Sequence, residues 1–538
     1  MRTPARRLDW ILAGVMLAII AAPGAGAADK TLIYCSEGSP EHFGPALSTS
    51  ITTWDASSRP VFDRLVDRVR GTTELAPGLA ESWEIGDDGR TYRFRLRQGV
   101  YFHSQPGFVP TRVLSADDVV FSVRRQLDPA HPYHLVGGGT YPVFDALGFD
   151  ELIDDVSRAD DRTVVFTLRQ PNAPFLASLA MDFMSIASAE YADHLASTGE
   201  PEVIDLVPVG TGPFVFEDYQ QDSLIRYRAN RDYWQGAPPI DQLLFSITPD
   251  ASVRRAKLVS GECHVMPFPN PADLEGLAAD PRVELLSRPG LNIGYLAFNT
   301  TKPPFGDVRV RRALSLAIDR GAILDAVYQG AARIAASPIP PGLFGHDDRL
   351  AAPSHDPEEA KRLLAEAGYE EGFATDIWAM PVQRAYNPNA RRMAELIQAD
   401  WAEIGVRAKI VSYEWGEYLR RSKAGEHQTI LLGWTAQNAD PDNILSVNLS
   451  CASVESVNRA RWCDPRFDAL LDQARTISER PVRVRLYREA QALLAQEVPW
   501  APIAHAEIFE AIRPEVEDYR IDPFGGHVFY GVDLADRR

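Results

Sequence analysis

The chain has 538 residues and more acidic than basic side chains, with a formal net charge of −19 at pH 7. This length exceeds what one ordinary hydrophobic core holds, so we expect two or more lobes. The acidic balance argues against a nucleic-acid-binding protein, because such proteins need clustered Lys and Arg to neutralise phosphates.

The N-terminus has the pattern of a secretory signal peptide. A basic start that includes Arg6 and Arg7 is followed by an apolar stretch over residues 10–22. That stretch is too short to span a bilayer, which needs about 20 residues. Small residues follow at 25–28, where a signal peptidase would cut, and no cysteine stands there to carry a lipid. We therefore predict a signal peptide over residues 1–27 and a periplasmic protein without a lipid anchor.

The first half of the chain has the pattern of a strand-rich region. Apolar and polar side chains alternate at residues 92–97 and again at residues 164–168. Alternation with a period of two is typical of strands that bury one face. Similar segments recur as far as residues 245–247.

The sequence pattern changes near Pro289. After it, helices with clear start and stop signals alternate with short strands. Asp356 is followed by a proline, which predicts a helix that begins there and ends at Gly368. A second helix is predicted over residues 387–404, and beyond residue 501 the pattern becomes strand-like again. Strands are predicted between these helices over residues 375–380, 408–413 and 429–434. Such alternation predicts an α/β lobe.

The four cysteines of the chain are Cys35, Cys263, Cys451 and Cys463. An even number in an exported chain predicts two disulfides rather than free thiols. Cys451 and Cys463 are near each other in sequence and suit a local loop, which leaves Cys35 and Cys263 for a long-range bond. No Cys-x-x-Cys or paired-histidine spacing accompanies them, so a metal site is not expected.

Sequence signatures of the common enzyme classes are missing. We find no Gly-x-Ser-x-Gly, no His-Glu-x-x-His and no phosphate-binding Gly-x-x-x-x-Gly-Lys. Gly210 and Gly212 begin like a dinucleotide fingerprint, but Val215 stands where the third glycine belongs. We therefore expect no enzymatic activity, no cofactor and no metal, and keep an exported hydrolase as the alternative from a different class.

Seven segments of the chain carry a family resemblance. They are YCSEGSP at 34–40, LAESWE at 79–84, DGRTY at 88–92, LRQGV at 96–100, ADDVVFS at 116–122, SITPDASVR at 246–254 and WAMPVQR at 378–384. In content and order they resemble the peptide/nickel class of solute-binding proteins that serve ABC importers. The match extends over nearly the whole chain that follows the predicted signal peptide.

This resemblance implies an α/β fold of the periplasmic-binding-protein type, class II. Two lobes would be joined by a hinge and would close over a ligand in the cleft between them. Lobe I would take residues 28–288, lobe II residues 289–505, and residues 506–538 would return to lobe I. The disulfides implied are Cys35–Cys263 and Cys451–Cys463.

The resemblance also implies the ligand contacts. Arg384 on lobe II would hold the ligand's carboxylate, because the planar donors of a guanidinium match a carboxylate. Thr49 would supply a polar contact from lobe I. The other implied contacts are Ala385 and Tyr386 beside the arginine, and Trp434, Thr435, Ala436 and Gln437 along the opposite wall.

The chain departs from the family at Gln437. The family has an aspartate at this position, three residues after the tryptophan, and this aspartate pairs with the α-ammonium group of the ligand. Two interpretations stay open: the amide oxygen of Gln437 accepts a hydrogen bond from that ammonium, or the cargo lacks a simple free α-amino group. Asp440 and Asp442 lie nearby, and we include Asp440 among the predicted contacts because its carboxylate could supply the missing charge.

We therefore expect a monomeric, periplasmic substrate-binding component of an ABC importer. It would bind short peptides, dipeptides first, and present them to a membrane permease. Within the same fold, the alternatives are a modified peptide such as glutathione, or haem. Nucleic acid is not an expected partner.

Overall fold

The structure of the chain is a computed structural model that describes residues 29–535. The predicted signal peptide lies outside these residues. The described part consists of two α/β lobes built on one long sheet and several smaller ones.

The strands of the described part are numbered in chain order. They are β1 (Thr31–Tyr34), β2 (Val66–Arg68), β3 (Leu75–Pro77), β4 (Ala80–Ile85), β5 (Thr91–Leu96), β6 (Ile153–Asp160), β7 (Thr163–Leu168), β8 (Phe214–Gln220), β9 (Leu224–Ala229), β10 (Gln242–Ser246), β11 (Val265–Pro267), β12 (Glu284–Pro289), β13 (Asn292–Phe298), β14 (Ala332–Ile334), β15 (Ala374–Trp378), β16 (Arg407–Val411), β17 (Thr429–Thr435), β18 (Trp500–Ile512), β19 (Val516–Glu517) and β20 (Asp533–Leu534).

The α-helices are numbered in the same way. They are α1 (Ile51–Ala56), α2 (Ser58–Val61), α3 (Ala116–Leu127), α4 (Pro142–Ala146), α5 (Phe149–Leu152), α6 (Phe175–Leu179), α7 (Ala189–Thr198), α8 (Ala251–Ser260), α9 (Leu274–Ala278), α10 (Val308–Leu316), α11 (Arg320–Ile323), α12 (Pro357–Glu366), α13 (Ala390–Glu403), α14 (Trp415–Lys423), α15 (Asp442–Leu449), α16 (Pro465–Thr476) and α17 (Arg480–Glu497).

A single strand, β18, joins the two halves of the long sheet. Its first part pairs with β13 and β14, and its second part pairs with β11 and β12. The partners change at Ala506, which pairs with Ala332, and Glu507, which pairs with Pro289. The long sheet has the order β16–β15–β17–β13–β18–β11–β1–β10–β9–β8. One continuous backbone therefore passes from one half of the molecule to the other.

The strand-rich first half contains a separate antiparallel sheet with the order β4–β5–β7–β6. In β5 the side chains of Tyr92, Phe94 and Leu96 are buried, while Arg93 and Arg95 are exposed. This is the alternation that the sequence predicts for a strand with one buried face. The sheet and the helices packed on it form their own hydrophobic core.

The N- and C-terminal segments of the described part share another core. Leu32 of β1 and Phe245 of β10 belong to the same buried cluster as Ile512 and Phe529. A third and larger core is built almost entirely from residues between Leu291 and Ala506. The chain therefore returns, near its end, to the half of the molecule in which it began.

Local sequence signals account for the helices of the second half. The side chain of Asp356 accepts a 3.0 Å hydrogen bond from the backbone of Glu359 and so caps α12, as predicted. Helix α13 begins at Ala390 rather than at residue 387. The reason is a tight turn before it, after which the side chain of Asn389 provides the cap.

Both predicted disulfides are present. Cys35 bonds to Cys263 and Cys451 bonds to Cys463, with Cα–Cα distances of 5.8 and 4.5 Å. All four cysteines are therefore paired. Among the helices of residues 29–535, none combines the length and apolar character that crossing a bilayer requires.

Candidate functional site

A cavity of about 1010 Å³ lies where the two halves of the long sheet meet. This volume is at the upper end of the range that small-molecule sites span, roughly 300–1,000 Å³, and suits a small peptide. We call the lining residues between Asn292 and Arg459 the second wall, and the remaining lining residues the first wall.

Arg384 reaches the cavity from a tight turn that follows β15. Arg384 and Asn387 exchange two backbone hydrogen bonds of 3.1 and 3.0 Å, which closes the turn. The hydroxyl of Tyr328 donates a 2.6 Å hydrogen bond to the carbonyl of Tyr386 and so fixes the turn against the lobe. The backbone that carries the guanidinium is therefore held in place by these three hydrogen bonds.

The guanidinium of Arg384 has no carboxylate within ion-pair distance among residues 29–535. Its Nη1 donates to the carbonyl of Gln383 at 2.9 Å, and the guanidinium also interacts with the Tyr386 hydroxyl. The side chain is exposed to the cavity and lies 5.5 Å from the centre of the Trp415 ring. Most of its donors are free, so it can bind the carboxylate of a ligand with two parallel hydrogen bonds.

Two glycines make the room that Tyr386 occupies. Gly294 of β13 and Gly433 of β17 lie opposite each other in the sheet. A Cβ atom at Gly294 would collide with the carbonyl of Tyr386, and one at Gly433 would collide with its ring. Only glycines allow the turn to pack this close to the sheet. Burial raises the pKa of the Tyr386 hydroxyl, and the charge of Arg384 opposes that rise.

The end of β17 and the segment after it form another part of the second wall. Trp434, Thr435 and Gln437 all line the cavity. The side-chain oxygen of Asn443 accepts hydrogen bonds from the Trp434 indole at 3.3 Å and from the Gln437 backbone at 2.9 Å. This amide therefore holds the indole and the glutamine in a fixed relation.

Ala436 is fully buried and does not line the cavity. Its backbone donates a 2.7 Å hydrogen bond to Leu291, so it anchors the segment to the lobe. Thr49 does line the cavity, from the first wall, on the exposed stretch before α1. The structure therefore brings together all the predicted contacts except Ala436 and Asp440.

The expectation for Asp440 needs correction. Its side chain is buried, does not line the cavity, and is ion-paired at 2.7 Å with Arg483. The hydroxyl of Tyr487 donates to the same carboxylate at 2.9 Å. Because its charge is already balanced by Arg483, Asp440 does not supply the charge that Gln437 lacks.

The sequence interpretation missed five charged side chains that line the cavity: Glu37, Glu41, Arg254, Glu507 and Arg459. Arg254 donates to the backbone carbonyls of Thr248, Pro249 and Phe268, so both of its terminal nitrogens already have acceptors. No sequence motif marks these charged residues, and only the fold brings them to one cavity. Within residues 29–535, no group of three or more His, Cys, Asp or Glu side chains is arranged to hold a metal ion.

The carboxylates of the lining all belong to the first wall. They are Glu37, Glu41 and Glu507. Burial raises the pKa of Glu37, and the Tyr34 hydroxyl donates to its carboxylate at 3.2 Å. The second wall carries the cations Arg384 and Arg459 and no carboxylate. The first wall also holds Arg254, so its three carboxylates outnumber its one cation. The cavity is therefore polarised, with excess negative charge on the first wall and positive charge on the second, which suits a ligand with charged ends.

Comparisons with known proteins agree with this architecture. The profile of the family described as Bacterial extracellular solute-binding proteins, family 5 Middle, matches residues 74–456. The chain is 55% identical over 506 residues to the dipeptide-binding protein of Escherichia coli, covering 94% of this chain and 95% of that protein. It is 50% identical over 506 residues to heme-binding protein A of Haemophilus influenzae, covering 94% and 92%.

A solved structure shows the same fold. The dipeptide-binding protein of a Pseudoalteromonas species, in complex with Met-Leu, matches with a TM-score of 0.87 at 41% identity. The match covers 94% of this chain and 100% of that one. Proteins of this family are extracellular solute-binding components of transport systems, which are not enzymes. The chain thus belongs to family 5 of the bacterial extracellular solute-binding proteins.

Proposed function

We propose that this chain is the periplasmic substrate-binding component of an ABC importer, and that it binds short peptides, dipeptides first. The observation that carries the proposal is the free guanidinium of Arg384, which a closed turn presents to the cavity. A carboxylate at one end of the ligand would pair with it. The names of the relatives from Escherichia coli and Pseudoalteromonas, both dipeptide-binding proteins, support the same assignment.

The polarised cavity accounts for binding without strict side-chain selection. A zwitterionic peptide would place its carboxylate at Arg384 and its ammonium near Gln437, whose amide oxygen accepts a hydrogen bond. Aromatic side chains such as Trp415 and Trp434 supply apolar contact surface for varied peptide side chains. The end charges fix the length of the ligand, and the large cavity leaves room for its side chains.

The lobes would be divided as the sequence resemblance implies, with lobe I over residues 28–288, lobe II over residues 289–505 and a return at 506–538. The change of partners along β18 at Ala506 and Glu507 supports a hinge at this point. Closure of the lobes would hide the ligand and form the surface that a membrane permease recognises. The protein would work as a monomer, would bind no cofactor and would catalyse no reaction.

Mass spectrometry of the ligand that purified protein releases on denaturation tests this function. We expect a mixture of dipeptides from native protein and none from Arg384→Met. Arg391→Met provides a matched control, because Arg391 is exposed on α13 and is paired with Glu395. Release of glutathione or haem instead would favour the alternatives within the same fold, and steady turnover of a peptide would favour a hydrolase.

A further inference from the structure

Arg459 is a largely buried arginine of the second wall that faces no carboxylate within ion-pair distance among residues 29–535. The buried Arg125 and Arg483 are paired with carboxylates, at 2.5 Å from Asp205 and 2.7 Å from Asp440. The buried Arg254 and Arg320 have no carboxylate partner in the described part of the chain and donate to backbone carbonyls instead. Burying a cation without an anion is costly, so an unpaired one in a ligand cavity needs an explanation. Burial indeed lowers the pKa of the Arg459 guanidinium, and only the hydroxyls of Tyr295 and Tyr418 oppose it.

The surroundings hold Arg459 in one position. Its carbonyl accepts a 2.7 Å hydrogen bond from Nε2 of the buried His427. Its Nε donates to the Ser422 hydroxyl at 2.9 Å, and its Nη1 donates to the carbonyl of Ser456. It lies in the loop that the Cys451–Cys463 disulfide closes. Backbone and side chain are therefore both fixed before any ligand arrives, which is what a specific contact requires.

One donor nitrogen of Arg459 has no partner within residues 29–535. Nη2 has no acceptor among the described residues, and it is not among the side-chain atoms that are sealed from solvent without a partner. Since Arg459 lines the cavity, the free donor is accessible from it. Arg384 also lines this wall, so the wall offers two guanidinium groups and no carboxylate.

We propose that Arg459 binds a second carboxylate of the ligand and makes the protein prefer peptides with an acidic side chain. This rests on the proposed function, in which Arg384 takes the terminal carboxylate. The neutral Gln437 fits the same preference, because an aspartate there would repel a second negative charge near the second wall. The proposed ligands are therefore short peptides that carry a second carboxylate in addition to the one at the C-terminus.

Calorimetry with isosteric pairs of dipeptides tests the proposal. The pairs are Ala-Glu with Ala-Gln, and Glu-Ala with Gln-Ala, so that charge changes while size does not. We expect native, ligand-stripped protein to bind the acid of at least one pair about tenfold or more tighter than its amide. Arg459→Gln should bring that ratio to within about twofold and leave the affinity for the neutral member unchanged.

Arg461→Gln is the matched control for the change of charge. Arg461 stands two residues away, is ion-paired with Glu455 and does not line the cavity. This variant should keep the preference for the acidic peptide. The melting temperature of ligand-free Arg459→Gln separates a binding role from a structural one. It should stay close to that of native protein, because removal of an unpaired charge offsets the loss of the hydrogen bonds to Ser422 and Ser456. A clear drop would indicate a structural role and count against the proposal.

Equal binding of acid and amide in both pairs by native protein would overturn the inference and leave the proposed function standing. A preference that survives in Arg459→Gln would overturn it too. If none of the four dipeptides binds native protein, the proposed function and this inference fall together.

Discussion

The guanidinium of Arg68 donates a 2.8 Å hydrogen bond to the backbone carbonyl of Gln437, a residue 369 positions away along the chain. Arg68 ends β2 on the side of the first wall, and Gln437 follows β17 on the second wall. The guanidinium also stacks 4.0 Å from the centre of the Phe524 ring. This bond joins the two halves of the molecule beside the cavity and would be lost if they separated about the proposed hinge.

Removing this tie should speed ligand release. Arg68→Met keeps an apolar stem on Phe524 but loses the charged hydrogen bond, which contributes about 1.5–3 kcal/mol. We expect the ligand dissociation rate to rise about tenfold, measured by stopped-flow tryptophan fluorescence. Arg93→Met, at an exposed position on β5, is the control and should leave the rate unchanged. An unchanged rate in Arg68→Met would mean that the bond does not hold the closed form.

Gly433 should tolerate no side chain. Gly433→Ala places a methyl group against the ring of Tyr386 and against the carbonyl of Ile293, so the turn that carries Arg384 must shift. We expect peptide affinity to fall at least about tenfold by calorimetry, since a displaced guanidinium loses its charge-assisted bonds. Gly306→Ala is the control, because its nearest neighbour would be 3.5 Å away. Native affinity in Gly433→Ala would show that the position of the turn does not govern binding.

Gln437→Asp tests the amino end of the ligand. If the amide oxygen of Gln437 accepts a hydrogen bond from the α-ammonium, a carboxylate there should strengthen the binding of dipeptides with a free amino group. The gain should be about 1 kcal/mol, the difference between charged and neutral hydrogen bonds. N-acetylated dipeptides should bind this variant more weakly, because the new charge would face no cation. Asp440→Asn should lower the melting temperature instead, since it leaves the buried Arg483 without its partner. If Gln437→Asp alters neither ligand's affinity, the amino end lies elsewhere in the cavity.

The pH dependence of stability should have a maximum near pH 6.5. Burial alone would lower the pKa of His527, but the carboxylates of Asp55 and Glu510 outweigh it and raise that pKa to about 9. A histidine with a raised pKa stabilises the fold below its unfolded pKa, near 6.5, and loses that contribution as the pH rises through 9. The free energy of unfolding should therefore fall between about pH 6.5 and 9, and His527→Gln should flatten the fall.

The acid side of the maximum depends on other histidines. Burial lowers the pKa values of His103, His427 and His505 to about 4 each. Their contribution is present above about pH 6.5 and is lost as the pH falls toward 4. Urea unfolding at a series of pH values measures both sides. A free energy of unfolding that rises steadily from pH 6.5 to 9 would contradict the assignment for His527.

The sequence predicts much of the fold because its signals are local. The N-cap at Asp356 and the alternation of Tyr92, Phe94 and Leu96 depend on neighbours in the chain, and both have the predicted outcome. The sequence places the start of α13 too early, at residue 387 instead of Ala390. The reason is that the turn at Arg384 is fixed by Tyr328, which is distant in sequence. The family resemblance predicts the pairing of the cysteines, and the structure confirms it.

The candidate site is harder to predict, because its charges are brought together by the fold. Nothing near Arg459 in the sequence distinguishes it from the paired Arg461. Asp440 is near Gln437 in sequence, but its carboxylate points to Arg483 inside the lobe. Proximity along the chain therefore suggested Asp440 wrongly as a ligand contact. The unpaired cation, Arg459, comes from a distant loop that carries no signal in the sequence.

The most direct test of the central claim is calorimetry of ligand-stripped protein with one dipeptide and with its C-terminal amide. If Arg384 holds the ligand's carboxylate, native protein should bind the acid at least about tenfold more tightly than the amide. In Arg384→Met the two should bind within about twofold of each other. Equal binding of acid and amide by native protein, or no binding of either, would contradict the account.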